Sequence, residues 1–128
     1  MPYWKEPQVP ARKTFIKPDL LIQVGTNLLV GDVQICGDSN SSTAFREKVA
    51  KYTPFNLELL RFASSALRWS CDSVIHAPFI LTFRGLLHSS SIVLWKSAVS
   101  LSDVDLSDCC VCALTGSARA AELFLRGT

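Results

Sequence analysis

The chain has little glycine, little proline and few charged residues for its length. Its 128 residues include 6 glycines, 6 prolines and 19% charged residues, whereas 48% are hydrophobic. These proportions exclude a disordered tail, a collagen-like repeat and a coiled coil. A chain of this size is enough for one small domain with one core.

Long apolar runs are also absent. The longest, around residues 74–83, is interrupted by His76, Pro78 and Thr82, and a spanning helix needs about 20 apolar residues. The first ten residues are proline-rich and polar, without the apolar segment of a secretory signal. The 5 cysteines are an odd number, which cannot close into a complete disulfide framework. We therefore expect no membrane association, and free thiols in a reducing compartment.

The chain has no strong excess of one charge. Its 13 Lys and Arg residues against 11 Asp and Glu residues give a net charge of +2, which permits a nucleic-acid partner but does not require one. The basic residues nevertheless concentrate in the first 68 positions, at Lys5, Arg12, Lys13, Lys17, Arg46, Lys48, Lys51, Arg61 and Arg68. This asymmetry favours a phosphate-facing side in the N-terminal half.

The pattern of residues predicts an α/β domain. Prolines in residues 1–17 predict an extended, basic lead-in rather than a helix, and residues 18–128 form the domain. Two β-type runs, 19–24 and 27–36, flank Gly25 and Thr26 and predict a hairpin. Helices are expected over about 43–52 and from Asn56, then a strand over 74–83 that Pro78 restricts to an edge or a bulge. Short helices are expected from Ser89 or Ser90 and from Ser102.

The hairpin carries the clearest chemical signal. With a two-residue turn, Val24 pairs with Asn27, and Asp19 then lies opposite Asp32. This register places Leu20, Ile22, Val24, Leu29, Gly31, Val33 and Ile35 on one apolar face, and a slip of one residue would destroy that segregation. Opposed carboxylates repel each other, so the pair needs a raised pKa, a basic partner or a divalent cation.

The helix after the hairpin offers the basic partner. Lys48 and Lys51 are three residues apart and share a helix face. Two aspartates, a metal ion and a lysine can together hydrolyse a phosphodiester. The alternative is that both aspartates are solvated strand-end residues and both lysines face water, and spacing alone leaves that alternative open.

The ordered set of motifs resembles a known nuclease family. Lys17-Pro18-Asp19, twelve intervening residues, Asp32-Val33-Gln34 and then Glu47-Lys48-Val-Ala-Lys51-Tyr52 are similar to the restriction-like endonuclease of site-specific non-LTR retrotransposon polyproteins. That family belongs to the PD-(D/E)XK nuclease superfamily. Later landmarks are also similar, namely Glu6-Pro7, Thr82-Phe83-Arg84-Gly85, Ser89 to Ser91 and Ala113 to Ser117. The resemblance covers residues 6–124.

The resemblance implies a fold, an activity and a set of site residues. The fold would be a mixed sheet flanked by helices, and the activity Mg²⁺- or Mn²⁺-dependent nicking of target DNA that primes reverse transcription in the nucleus. Asp19 and Asp32 would bind the metal, and Lys48 or Lys51 would take the catalytic role of the superfamily's lysine. Lys17, Arg46 and Arg84 would contact DNA, and Asp38 is a candidate extra ligand. Element RNA would be a partner through the upstream polyprotein.

The chain also departs from the family. Gln34 stands where the superfamily has its lysine, and Gly31 stands where a branched apolar residue is usual. The superfamily core begins with a helix and a strand before the hairpin, and residues 1–17 are too short and proline-rich to supply both. We therefore expect a fragment of a polyprotein C-terminus that lacks that first helix and strand.

Two other functions compete with a nuclease. A catalytically decayed DNA- or RNA-binding remnant would keep the basic residues without the chemistry. A zinc site could use the CxxC of Cys109 to Cys112, but no second paired motif supplies the remaining ligands. We therefore interpret these cysteines as small buried thiols on one face of the last helix.

Overall fold

The structure is a computed structural model that describes residues 2–111. Six strands and three complete helices follow in chain order: β1 (Tyr3–Lys5), β2 (Val9–Ala11), β3 (Thr14–Ile16), β4 (Leu20–Val24), β5 (Asn27–Cys36), α1 (Ser41–Tyr52), α2 (Asn56–Ser65), β6 (Ser73–Thr82) and α3 (Ser89–Val99). A further helix, α4, begins at residue 103 and is described to residue 111. Cys112 and the landmark at Ala113 to Ser117 lie outside the described residues.

The main sheet is mixed, and the prediction of a mixed sheet with helices is confirmed at that level. Its strand order is β1-β4-β5-β6. Strands β1, β4 and β5 are antiparallel neighbours, whereas β6 runs parallel to β5. The chain crosses from β5 to β6 through α1 and α2, since parallel neighbours need a long connection. Strand β6 forms an edge of the sheet, as Pro78 predicted, because proline cannot donate a ladder hydrogen bond.

The predicted hairpin register is confirmed. Val24 pairs with Asn27 and Leu20 with Gly31, so the next positions along the ladder are Asp19 and Asp32. The turn has only two residues, and Gly25 adopts a positive φ of 61° in it, a conformation that glycine reaches without the steric cost of a Cβ atom.

Both faces of the sheet are buried. The predicted apolar face, with Leu20, Ile22 and Leu29, packs against Trp95 and Val99 of α3. Three side chains of the other face build a second core with α1, α2 and the small β2–β3 hairpin, namely Leu21, Leu28 and Val30. In the described part of the chain, Asp32 is the only buried charged residue, with 5% exposure.

The N-terminal segment is extended, as predicted, but it is paired rather than a free lead-in. Strand β1 extends the sheet beside β4, and β2 pairs with β3 in a separate two-stranded sheet. A strand therefore does precede the hairpin, and the expectation that this strand would be missing is wrong. Residues 2–18 contain no helix. The prolines exclude helix there, but Pro2 and Pro7 flank β1 and do not interrupt its short ladder.

Gly31 makes room for a buried tryptophan. A Cβ atom added at Gly31 would lie 3.2 Å from both Cη2 and Cζ2 of Trp95. The indole is 6% exposed and packs edge-on against Phe79, so it has little freedom to retreat. This contact accounts for the glycine at a position where the similar family has a branched residue.

We predict that Gly31→Val destabilises the fold. The branched side chain would overlap the Trp95 indole, and overpacking of this kind costs about 1–3 kcal/mol. Urea unfolding of both proteins measures the change. Gly37→Val is the matched control, since a Cβ atom at Gly37 meets only the Asn40 amide nitrogen, at 3.6 Å. An equal loss in the two variants would contradict the prediction.

Candidate active site

The two predicted carboxylates meet at the open end of the β4–β5 hairpin. The backbone N–H of Asp19 donates to Oδ1 of Asp32 at 3.1 Å, and the N–H of Val33 donates to Oδ2 of Asp19 at 2.8 Å. Each carboxylate thus accepts a hydrogen bond from the backbone of the opposite strand. This reciprocal arrangement holds both side chains in place, because charge-assisted hydrogen bonds are about twice as strong as neutral ones.

Helix α1 supplies a cation to the pair. Nζ of Lys48 lies 2.5 Å from Oδ2 of Asp32, and the side chains are 20% and 7% exposed. The hydroxyl of Tyr52, one helical turn later, donates to the same oxygen at 3.4 Å and lies 3.4 Å from the backbone carbonyl oxygen of Lys17. Residues four apart share a helix face, so α1 presents both groups to Asp32.

The rotation of α1 places Lys48, and not Lys51, beside Asp32. Lys51 is exposed, and its Nζ lies 5.1 Å from the centre of the Tyr52 ring. Tyr52 itself is 2% exposed and forms part of the second core. Because burial of Tyr52 fixes the helix rotation, the residue four positions earlier faces Asp32 and Lys51 does not.

The electrostatics of the pair are unusual for surface aspartates. Burial, together with the charge of Asp32, raises the pKa of Asp19 to about 6, although the Val33 N–H opposes the shift. Burial and the same Asp32 charge also raise the pKa of the Tyr52 hydroxyl above its ordinary value. Tyr52 therefore remains protonated and acts as a donor, and Asp19 titrates near neutrality.

We predict that Asp19 makes stability fall as the pH rises. The folded protein holds the Asp19 proton up to about pH 6, whereas the unfolded chain releases it near 3.8. The stabilisation from Asp19 is therefore fully present below pH 3.8 and is lost as the pH rises through about 6. Relative to Asp19→Asn, the wild type should lose unfolding free energy across this interval.

Urea unfolding in EDTA at successive pH values measures this difference. EDTA keeps adventitious cations from the carboxylates, so that only proton binding is compared. A difference that stays constant with pH, or that moves in favour of the wild type as the pH rises, would contradict the assignment.

An open pocket gives access to Asp19. Its volume is about 340 Å³, and it is lined by Glu6, Gln8, Lys17, Pro18 and Asp19. The N–H of Glu6 donates to the backbone carbonyl of Asp19 at 2.8 Å, and Glu6 has a positive φ of 49°. The family resemblance implied that Lys17 contacts DNA, and the structure shows that Lys17 lines this pocket. Nothing in the sequence predicted that Gln8 would also line this pocket.

The other predicted site residues lie apart from the carboxylate pair. Arg84 forms an exposed ion pair with Asp38 at 3.0 Å, and Arg46 is exposed, with Nη2 3.5 Å from Oγ1 of Thr43. Gln34 is half-buried on the same face of β5 as Asp32. No group of three or more His, Cys, Asp or Glu side chains within residues 2–111 could hold a metal. Asp38 therefore does not join Asp19 and Asp32 as a third ligand.

The donor set nevertheless fits a hard divalent cation. Mg²⁺ keeps several waters and is commonly bound by one or two carboxylates together with phosphate oxygens. Asp19 and Asp32 supply two carboxylates at one point. Burial and, to a smaller extent, the charge of Asp32 raise the pKa of Asp19, and a bound cation would favour its ionised form. The site needs no third protein ligand for this mode of binding.

The histidines and cysteines have structural surroundings. His76 contacts the amide oxygen of Asn56 at 2.6 Å, and burial lowers the pKa of its ring. His88 stacks on Phe45 and accepts the N–H of Ser90 at the start of α3. Cys109 and Cys110 pack against the α3 side of the sheet. Burial raises the pKa of the Cys110 thiol, which disfavours the thiolate that binds zinc.

Comparison with known proteins adds no assignment. No model of a protein family matches the chain, and no curated protein matches it. Among the described helices, none is long and apolar enough to cross a membrane.

Proposed function

We propose that the protein is a metal-dependent DNA endonuclease that nicks one strand by phosphodiester hydrolysis. One observation carries the proposal: a buried Asp32 is ion-paired to Lys48 and hydrogen-bonded to the backbone of a second aspartate whose pKa is raised. Stability alone gives little reason to bury such a group, because a buried ion pair often contributes no more than an apolar replacement. Perturbed carboxylates beside a pocket are typical of active sites.

Each residue of the site would have a separate role in hydrolysis. Asp19 and Asp32 would hold Mg²⁺ or Mn²⁺, which when bound supplies charge stabilisation at a phosphate and lowers the pKa of a water molecule. Lys48 neutralises Asp32 and places a positive charge where phosphate charge develops. Tyr52 orients Asp32 by donating its hydroxyl proton. Lys17, which lines the pocket, would bind a flanking phosphate.

The biological setting is part of the same proposal. The order of motifs from Lys17 to Tyr52 is similar to that of retrotransposon endonucleases, in which a nick provides the primer for reverse transcription. The partners would then be target DNA in the nucleus and, through a polyprotein, element RNA. The mixed sheet with helices on both faces is compatible with a restriction-endonuclease-like fold.

A second function is favoured by one detail of the site. Oδ2 of Asp32 already contacts both Lys48 and Tyr52, and the Asp32 side chain is only 7% exposed, so a cation has to approach from Asp19 or displace the ammonium group. A protein in which the ammonium permanently replaces the metal would bind nucleic acid without cutting it. This is the remnant hypothesis in structural terms.

Nicking of supercoiled plasmid distinguishes the two functions. The purified chain is incubated with Mg²⁺, with Mn²⁺ or with EDTA, and the conversion to open circles is followed on a gel. Metal-dependent open circles support the endonuclease. A folded protein that shifts the DNA in a binding gel but forms no open circles with either metal contradicts it and supports the remnant.

A further inference from the structure

A second pocket lies beside the candidate active site. It has a volume of about 610 Å³ and is formed by β2 and its turn on one side and by α2 on the other. Gln8 lines both this pocket and the one that opens on Asp19. A chain passing across Asp19 can therefore continue over Gln8 into the second pocket without leaving the surface.

Two arginines face the second pocket without a carboxylate partner. Arg12 projects from the β2–β3 turn, and Arg61 is exposed on α2. Neither takes part in an ion pair with any residue in the described part of the chain. The guanidinium carbon of Arg12 lies 5.8 Å from the centre of the Phe55 ring, but neither guanidinium group has a carboxylate partner among the described residues. Two such groups on one concave surface are suited to phosphate oxygens.

The same pocket contains a buried acceptor that lacks a donor. Oε2 of Glu58 is buried and accepts no hydrogen bond from the described residues, and Glu58 lines the pocket on the same face of α2 as Arg61 and Phe62. A buried polar atom without a partner is costly. Because Glu58 lines the pocket, a rotation of its carboxylate toward the pocket would let this oxygen accept an N–H group of a ligand, and Phe62 offers a ring against which a planar group can pack.

We propose that this pocket binds an unpaired nucleotide of the DNA strand that leaves the candidate active site. Phosphates would contact Arg12 and Arg61, and the exocyclic amine of a base would donate to Glu58. The strand must be single at this point, because a base can pack its face against the Phe62 ring only when it is unstacked from its neighbours. The inference rests on the proposed function for the origin of the strand, but its chemistry is independent of cleavage.

The backbone of Arg12 allows a variant that separates binding from folding. Arg12 has a positive φ of 55° in the two-residue β2–β3 turn, a conformation that favours glycine. Arg12→Gly relieves this backbone strain but also removes the contact of the guanidinium with the Phe55 ring, so we expect stability to change little while a phosphate contact is lost. Arg61→Ala is similarly safe, since position 61 is exposed on a helix and alanine is a good helix former.

Binding of short fluorescent oligonucleotides in EDTA tests the proposal. We expect Arg12→Gly and Arg61→Ala each to weaken oligo(dC) binding by roughly 5-fold and to reduce the salt slope by about 0.7, the value for one phosphate of a single strand. Lys96→Ala is the charge-matched control, because it removes one positive charge from α3 on the opposite side of the sheet. Variants that bind like Lys96→Ala would overturn the proposal.

Glu58→Gln tests the base contact. A carboxylate only accepts hydrogen bonds, so it favours the amine of cytosine over thymine, whose single N–H is flanked by two carbonyl oxygens. The wild type should bind oligo(dC) more tightly than oligo(dT), and Glu58→Gln should remove that preference. An unchanged preference would overturn the base assignment, and oligo(rC) bound 10-fold more tightly than oligo(dC) would overturn the assignment to DNA.

The oligonucleotide assay and the nicking assay fail independently. If the plasmid is nicked but Arg12→Gly, Arg61→Ala and Glu58→Gln do not change oligonucleotide binding, the subsite is contradicted and the endonuclease is supported. If the variants change oligonucleotide binding as expected but the plasmid is not nicked, the subsite is supported and the endonuclease is contradicted.

Discussion

Asp32→Asn is expected to abolish metal-dependent nicking while DNA binding stays the same or becomes tighter. The amide keeps the shape of the side chain and can still accept the N–H of Asp19, but it loses the charge that would hold a cation. Loss of several kcal/mol of charge stabilisation corresponds to about 10³-fold or more in rate. DNA binding does not weaken, because the substitution removes one negative charge from a site that would face phosphates.

Asp38→Asn is the matched control for this substitution. Asp38 is the exposed aspartate of the turn after β5, and its carboxylate pairs with Arg84 rather than with the carboxylate pair. Rates of open-circle formation and a binding gel are compared for both variants and the wild type. If Asp32→Asn still nicks within 10-fold of the wild type, or if Asp38→Asn is equally inactive, the hairpin is not the active site.

Lys48→Met is expected to reduce nicking by about 100-fold, because a charge that stabilises the transition state is lost. It should also destabilise the fold. Removing one partner of a buried ion pair costs roughly 3–5 kcal/mol, and we expect about 2–3 kcal/mol here because water can partly solvate Asp32 once Lys48, itself 20% exposed, is gone. Lys51→Met removes an equal charge from the same helix and should change both quantities little, since an exposed cation–π contact contributes only about 0.5–1 kcal/mol.

A double-mutant cycle identifies the origin of the stability change. In the Asp32→Asn background there is no carboxylate to leave unpaired, so Lys48→Met should then cost far less unfolding free energy than in the wild type. Urea unfolding of the four proteins supplies the cycle. Equal costs in the two backgrounds would show that Lys48 acts through packing and not through the ion pair.

The hairpin and its carboxylates could be predicted because their signal is local. The alternation of residues 20–24 and 27–36 and the glycine turn between them determine the register without reference to the rest of the molecule. Strand β1 and the β2–β3 hairpin could not be predicted in this way. Each of these strands has only three residues, Pro10 lies within β2 and Pro2 directly precedes β1. Such short strands depend on pairing and packing with distant residues.

The lysine that pairs with Asp32 illustrates a second limit of sequence reasoning. Lys48 and Lys51 differ by one turn of α1, and the composition of the helix favours neither. The rotation of the helix depends on Tyr52, which is buried in the second core. Its hydroxyl contact with Asp32 becomes visible only when the helix is packed on the sheet. Gly31 is a similar case, because the side chain that crowds a Cβ atom at this position belongs to Trp95, which is 64 residues away along the chain.

The reciprocal hydrogen bonds of the carboxylate pair also provide a spectroscopic probe. The N–H groups of Asp19 and Val33 point directly at the two carboxylates, so their NMR chemical shifts depend on the charge and occupancy of those oxygens. When a proton or a cation binds to the carboxylate pair, the chemical shifts of these two amides should change more than those of other amides in the sheet. The backbone thereby reports ligand binding at the site without any substitution or label attached to the side chains.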